Sequence, residues 1–227
     1  MTNNFRDLEE SLGYKFNNIS FLTEALSHPS LKQAGNNSKN YERLEFLGDS
    51  ILGFIITEMV FYRFNKNSEG DISQIKAHSV SRASLVQVAN RLNLSRYIIM
   101  SEGEEISGGR SNPNNIENAM EALLAAIYLD GGLSEVVRIV NFYWKDLIEN
   151  IDFNYVNPKT SLQELSQKKF NQAPKYEIIK QEGSSHEPIF TVQVIVQGVS
   201  ETAQGKSIKE AEKISARKML NKLKNND

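Results

Sequence analysis

Apolar residues recur every three to four positions through residues 8–12, 19–26, 41–64, 72–92, 116–129 and 133–148. That is the period of helices that bury one face. No run of strict alternation interrupts it, so the chain from Phe5 to about Ile151 reads as almost all helix. Two glycine-bearing segments separate the helices: Glu69-Gly70-Asp71, and the polar stretch 101–115 with Ser107-Gly108-Gly109-Arg110. The pattern changes after Asn154. Asn157-Pro158 marks a boundary, because the residue before proline is pushed out of the helical region. Thr160-Ser161 followed by Glu164 reads as a capping box opening a helix to about Phe170. Residues 176–181 read as a strand and 182–188 as a turn-rich loop. Phe190, Val192, Val194 and Val196 then alternate with Thr191, Gln193, Ile195 and Gln197, a strand with one buried face. A third strand is expected over 199–203. A last helix is expected over 208–223, with Ile208, Ala211, Ser215, Met219 and Leu223 on one side. The pattern thus predicts an all-α domain over 1–154 and a small α+β domain, ordered α-β-β-β-α, over 158–227.

Composition narrows the function classes. Apolar residues make up 40% of the 227, enough for a packed core. With no cysteine there is no disulfide framework, thiolate nucleophile or zinc–thiolate site. The N-terminal MTNNFRDLEE is polar and acidic, unlike a signal peptide. The apolar stretch 51–62 is too short to span a bilayer. A cytoplasmic protein without membrane contact is expected. The net charge of −2 is unevenly divided: residues 1–157 carry 14 basic and 20 acidic residues, and 158–227 carry 12 and 8. A basic C-terminal segment points to a polyanionic partner or to chance variation in surface charge, and charge alone does not choose.

The segment YERLEFLGDSILGF, residues 41–54, carries the most chemistry. Glu42, Glu45 and Asp49 fall within about 60° of one another on a helix. The rest of that helix is apolar nearly all round, the mark of burial. The acidic stripe is therefore either a narrow solvent-facing strip or a buried cluster. Carboxylates gathered out of water repel one another, and a divalent cation removes that cost. In IENAMEALLAAIYL, residues 116–129, Asn118 and Glu121 repeat the theme one turn apart. Ordinary solvated faces would explain one such stripe; two on unusually apolar helices favour a shared metal site. Oxygen donors alone select hard ions such as Mg²⁺ or Mn²⁺.

ERLEFLGDS, residues 42–50, closely resembles the signature helix of the ribonuclease III family. Ala25-Leu26-Ser27-His28, Glu69-Gly70-Asp71, Ser107-Gly108-Gly109-Arg110, Glu121-Ala122 and Tyr128-Leu129-Asp130-Gly131-Gly132 resemble further family segments in the same order. The resemblance implies an all-α endonuclease domain. Glu45, Asp49 and Glu121 resemble its core metal ligands, with Asp49 and Glu121 catalytic. Glu42 and Glu69 resemble accessory acidic residues. Asn118 stands where the family usually has an aspartate; its amide oxygen can still coordinate Mg²⁺ but brings no charge. Implied too are a homodimer and a Mg²⁺-dependent two-metal hydrolysis of double-stranded RNA, with Mn²⁺ as substitute ion. The products would carry 5′-phosphate and 3′-hydroxyl ends, and ribosomal and other structured precursors would be the targets. The three histidines, His28, His78 and His186, are scattered among different elements, which disfavours histidine acid–base chemistry.

Residues 158–224 resemble a double-stranded-RNA-binding domain, a module that reads shape across successive minor grooves. By that resemblance Gln163, Glu164 and His186 would face minor grooves, and Lys206, Lys209 and Lys213 phosphates. Ala203 and Ile208 depart from the usual glycine and lysine. The alternative is a protein of the same fold with weakened cleavage that only holds duplex RNA, and Asn118 keeps it open.

Overall fold

The computed structural model describes residues 5–33, 39–151, 156–184 and 187–225. They fall into two compact units, Met1–Asn150 and Ile151–Asp227. The first holds α1 (Arg6–Leu12), α2 (Ile19–Ala25), α3 (Ser30–Gln33), α4 (Glu42–Arg63), α5 (Glu69–Ser79), α6 (Arg82–Arg91), α7 (Glu102–Ile106), α8 (Pro113–Gly131) and α9 (Leu133–Glu149). No helix among the described residues is long and apolar enough to cross a membrane.

The core is built around α8. Asn112 caps its start by accepting from the Asn114 N–H, with Pro113 in the first turn, where a missing N–H costs nothing. Seven consecutive residues, from Glu121 to Ile127, are buried, so the helix is surrounded on every side. It packs against α2, α4, α6 and α9. Small residues on α8 (Ala119, Ala122, Ala125 and Ala126) let its neighbours approach closely. Its fully buried Leu123, Leu124 and Ile127 each contribute about 2 kcal/mol.

Two polar knots fix the ends of this core. The Asp130 carboxylate accepts from the Tyr14 hydroxyl at 2.7 Å and from the Asn17 and Asn18 N–H groups at 2.8 Å. Burial disfavours its charge, but these donors win and lower its pKa. At the other end, His28 Nδ1 accepts from the Ser30 N–H at 3.0 Å, so Nε2 carries the proton and donates to Asn115 Oδ1 at 3.2 Å. Asn115 in turn donates to Glu104 and to the Gly109 carbonyl, both at 3.0 Å. Both nitrogens of His28 are thus engaged in holding the glycine-bearing segment against α8. Arg110 completes this corner with an ion pair to Glu105 and a bond to the Ser95 carbonyl.

The helical pattern over 72–92 is two helices, not one. Ser81 stops it: its Oγ accepts from the Ser84 N–H as an N-cap, and both serine hydroxyls donate to the His78 carbonyl. Glu69-Gly70-Asp71 is not a break but the first turn of α5, capped by Ser68. The nearly all-apolar α4 is not buried all round either. Phe46, Phe54 and Phe61 are more than half exposed and share one face.

The second unit contains α10 (Pro158–Phe170), β1 (Lys175–Ser184), β2 (Glu187–Val196), β3 (Val199–Gly205) and α11 (Ile208–Asn225). The sheet is antiparallel in the order β1-β2-β3. The expected alternation holds on β2, where Val192, Val194 and Val196 are buried. Leu162, Ala216, Met219, Leu220 and Leu223 close the core over it. Three expectations shift. The turn-rich reading of 182–188 yields to a strand pair that continues to Ser184 opposite Glu187. The helix expected from a capping box at Thr160-Ser161 starts earlier, with Asn157 as N-cap and Pro158 in the first turn. Ile208, expected on the buried side of α11, is 38% exposed.

Candidate metal centre and nucleic-acid interface

Gly48 and Glu121 mark a close approach of α4 to α8. A Cβ on Gly48 would stand 1.8 Å from the Glu121 carbonyl oxygen, so the two backbones touch there. This crossing brings the acidic stripe of α4 over the acidic turn of α8. Glu42 and Asp49 are exposed, and Glu45 is half-buried between them. Glu121 is only 8% exposed and has no hydrogen-bond or ion-pair partner among the described residues. The acidic stripe is therefore solvent-facing at its ends and buried where α8 closes over it.

The electrostatics follow from that placement. Burial pushes the Glu121 carboxyl up to about 8, and the charges of Asp49, Glu117 and Glu45 push the same way. Glu45 is raised too, by burial and then by Glu42, Glu117 and Asp49. All the donors are oxygens and most carry charge, a set that suits a hard divalent cation. The groups converge without closing. Among the described residues no three acidic or histidine groups already stand as a ligand set, so a cation would have to draw them together.

Asn118 is half-buried and lies near Tyr41, a phenol that burial pushes up to about 12 and that also stands near Glu45 and Glu42. Glu69 belongs to a different helix from these groups. It is exposed on the first turn of α5 and accepts from the Ser73 hydroxyl at 2.7 Å. One residue was missed. Glu117 lies one turn before Glu121 and pairs with Arg82 at the start of α6. Its signal was available as the i, i+4 spacing to Glu121. Glu42 is anchored by the Asn40 amide, which donates to it at 2.8 Å.

In the second unit Gln163 and Glu164 are exposed on α10. They line a shallow depression with Thr160, Gln167, Lys168 and Asn171. Lys206, Lys209 and Lys213 are exposed at the start of α11, and burial lowers the Lys213 pKa, with Arg217 adding to it. The capping box missed by the sequence reading sits here. Ser207 Oγ accepts from the Glu210 N–H at 3.2 Å, while the Glu210 carboxylate accepts from the Lys206 N–H at 2.7 Å. Glu210 thereby occupies the Lys206 backbone donor just before this helix start. His186 lies outside the described residues.

The family model described as Ribonuclease-III-like matches residues 18–147. The chain belongs to the ribonuclease III family. The double-stranded RNA binding motif matches residues 158–223 of this ribonuclease III-family endonuclease. Ribonuclease 3 of Rickettsia bellii (strain OSU 85-389) is 49% identical over 222 residues, 97% of this chain and 98% of that protein. Ribonuclease 3 of Rickettsia felis is 47% identical over 97% of this chain and 99% of its own length. Among solved structures, the nuclease domain of ribonuclease III from Campylobacter jejuni is similar at 38% identity and a TM-score of 0.61. The match covers 67% of this chain and all of that one. A second structure of that domain, described as flexible in the region involved in its dimer formation, matches at 38% identity with a TM-score of 0.58. It covers 63% of this chain and 99% of that one.

Proposed function

We propose that the chain is a Mg²⁺-dependent, double-strand-specific endoribonuclease that works by a two-metal mechanism on ribosomal and other structured RNA precursors in the cytoplasm. Mn²⁺ would serve as a substitute ion. The observation that carries the reading is Glu121, a buried carboxylate without a donor among the described residues, facing three more. Glu45, Asp49 and Glu121 would hold the metal, with Glu42 at the exposed edge. When bound, the ions supply a deprotonated water and charge neutralisation for an in-line displacement that leaves 5′-phosphate and 3′-hydroxyl ends. The protein's part is to hold the carboxylates in place through the α4–α8 crossing and to keep water from the Glu121 side. Glu69 enters the reading only as an accessory residue outside this cluster.

Purified protein should cut a long RNA duplex in Mg²⁺ and leave it intact in chelator. Retained binding without cutting in Mg²⁺ would favour the second reading, a weakened binding protein, which the neutral Asn118 supports.

The same chain should hold duplex RNA through its second unit. Lys206, Lys209 and Lys213 would meet phosphates, while Gln163 and Glu164 would face a minor groove. Replacing the three lysines together by alanine in the full chain should weaken binding and flatten its salt dependence by up to about three phosphate contacts. An unchanged salt slope in filter binding would make them ordinary surface residues. The exposed Phe46, Phe54 and Phe61 face supports a homodimer through α4. Sedimentation equilibrium showing a monomer at micromolar concentration would count against it.

A further inference from the structure

We infer that Glu117 supplies the fourth carboxylate of the metal centre, in place of the charge that Asn118 lacks. The inference rests on the metal-centre reading above and concerns which residue of α8 completes it.

Three placements support it. First, Glu117 and Glu121 are four apart on α8 and share a face. That face meets α4 at the level of Gly48. Second, Asn118 directly follows Glu117 on α8 and carries no charge, so it cannot itself supply the fourth one. Third, Glu121 is more than nine-tenths buried, has no hydrogen-bond or ion-pair partner among the described residues, and feels the charge of Glu117 together with those of Asp49 and Glu45. Glu117 also acts on Glu45 ahead of Asp49. It is thus coupled to both sides of the helix crossing.

Arg82 defines the state of Glu117 without a cation. The guanidinium pairs with its carboxylate, and the Arg82 side chain is 56% exposed against 17% for Glu117. The acid is held at the rim by a solvated partner that water can readily replace. A divalent ion offers it a stronger counter-charge than this exposed pair, whose worth is small. A glutamate also reaches one methylene further than an aspartate. By helical periodicity Glu117 and Asn118 flank Glu121 around α8, about 40° and 60° to either side.

Mn²⁺ binding to the full-length protein tests this, read by calorimetry and by the electron paramagnetic resonance signal of free Mn²⁺. Neither depends on cleavage. Glu117→Gln should weaken binding by about tenfold, within the range for losing one group around a metal. Asn118→Ala should change it less than about twofold, since the removed amide carries no charge. In the double variant Glu117→Gln/Asn118→Asp the charge returns one residue later, and binding should recover while the Arg82 pair stays broken. That recovery separates a metal role from a purely structural ion pair. Unchanged binding in Glu117→Gln would overturn the inference and leave the metal centre standing. So would a larger loss in Asn118→Ala, or no recovery in the double variant. Absence of Mn²⁺ binding by the unaltered protein would overturn the metal centre itself and this inference with it.

Discussion

Glu121→Gln should hold duplex RNA and lose at least about 100-fold in Mg²⁺-dependent cutting. Several kcal/mol of metal-borne transition-state stabilisation corresponds to more than two decades of rate. The substitution keeps size and removes the charge at the deepest point of the cluster. It should also stabilise the protein in chelator at alkaline pH. The Glu121 carboxyl is raised from 4.5 to about 8, by burial first and then by Asp49, Glu117 and Glu45. The folded state therefore holds a proton that the unfolded chain releases. The stability tied to that proton is complete below the unfolded value and is lost as pH rises toward 8. The neutral amide escapes this loss. In EDTA the variant should melt on the order of 5 °C above the unaltered protein at pH 8, and the gap should shrink at pH 5. Mg²⁺ should raise the melting temperature of the unaltered protein and not that of the variant. Near-normal cutting by Glu121→Gln would remove the residue from the metal centre, and a melting gap equal at both pH values would mean that it is not protonated in the fold.

Much of this site was legible because it is written in local spacing. Glu42, Glu45 and Asp49 share a helix face by periodicity alone. The burial of β2 likewise follows from strict alternation. What escaped the sequence depends on contacts between distant segments or on competing local chemistry. Spacing placed Asn118 beside Glu121, but nothing local said that Tyr41, from the start of α4, would lie near it. The i, i+4 spacing of Glu117 to Glu121 could be read locally, but its ion pair with Arg82, which spans 35 positions, could not. The helix expected over 72–92 broke because apolar periodicity continued across Ser81 while its hydroxyl offered the backbone a cap. Thr160-Ser161 and Ser207 both precede a glutamate at capping distance, yet only Ser207 is used, because Pro158 already sets the start of α10.

Gly48→Ala should cost both stability and cutting, although alanine is the better helix former by about 1 kcal/mol. The added methyl would stand 1.8 Å from the Glu121 carbonyl oxygen, 2.5 Å from its carbonyl carbon and 3.1 Å from its Cα. These are backbone atoms in the middle of a helix buried on all sides, so no rotamer change relieves the overlap. The helices must part by roughly 1.5 Å to reach ordinary contact distance. The two helices pack together in a buried interface, α4 carrying buried Leu44, Ile51, Leu52 and Ile55 and α8 buried Ala122, Leu124 and Ala125. Parting it gives up dispersion contact along the whole crossing, and overpacking of this kind costs about 3 kcal/mol or more. The net effect should be a melting temperature lower by roughly 6–12 °C. The loss of cutting should exceed what the unfolded fraction explains, because Asp49 follows Gly48 directly and Glu121 is the residue struck. Separating α4 from α8 widens the gap that a cation must bridge, so the Mg²⁺ concentration for half-maximal cutting should rise in the fraction that stays folded. Circular dichroism with a Mg²⁺ titration at a temperature where the variant is fully folded separates the two effects. A variant with unchanged melting and an unchanged Mg²⁺ requirement would mean that the helices do not meet at Gly48.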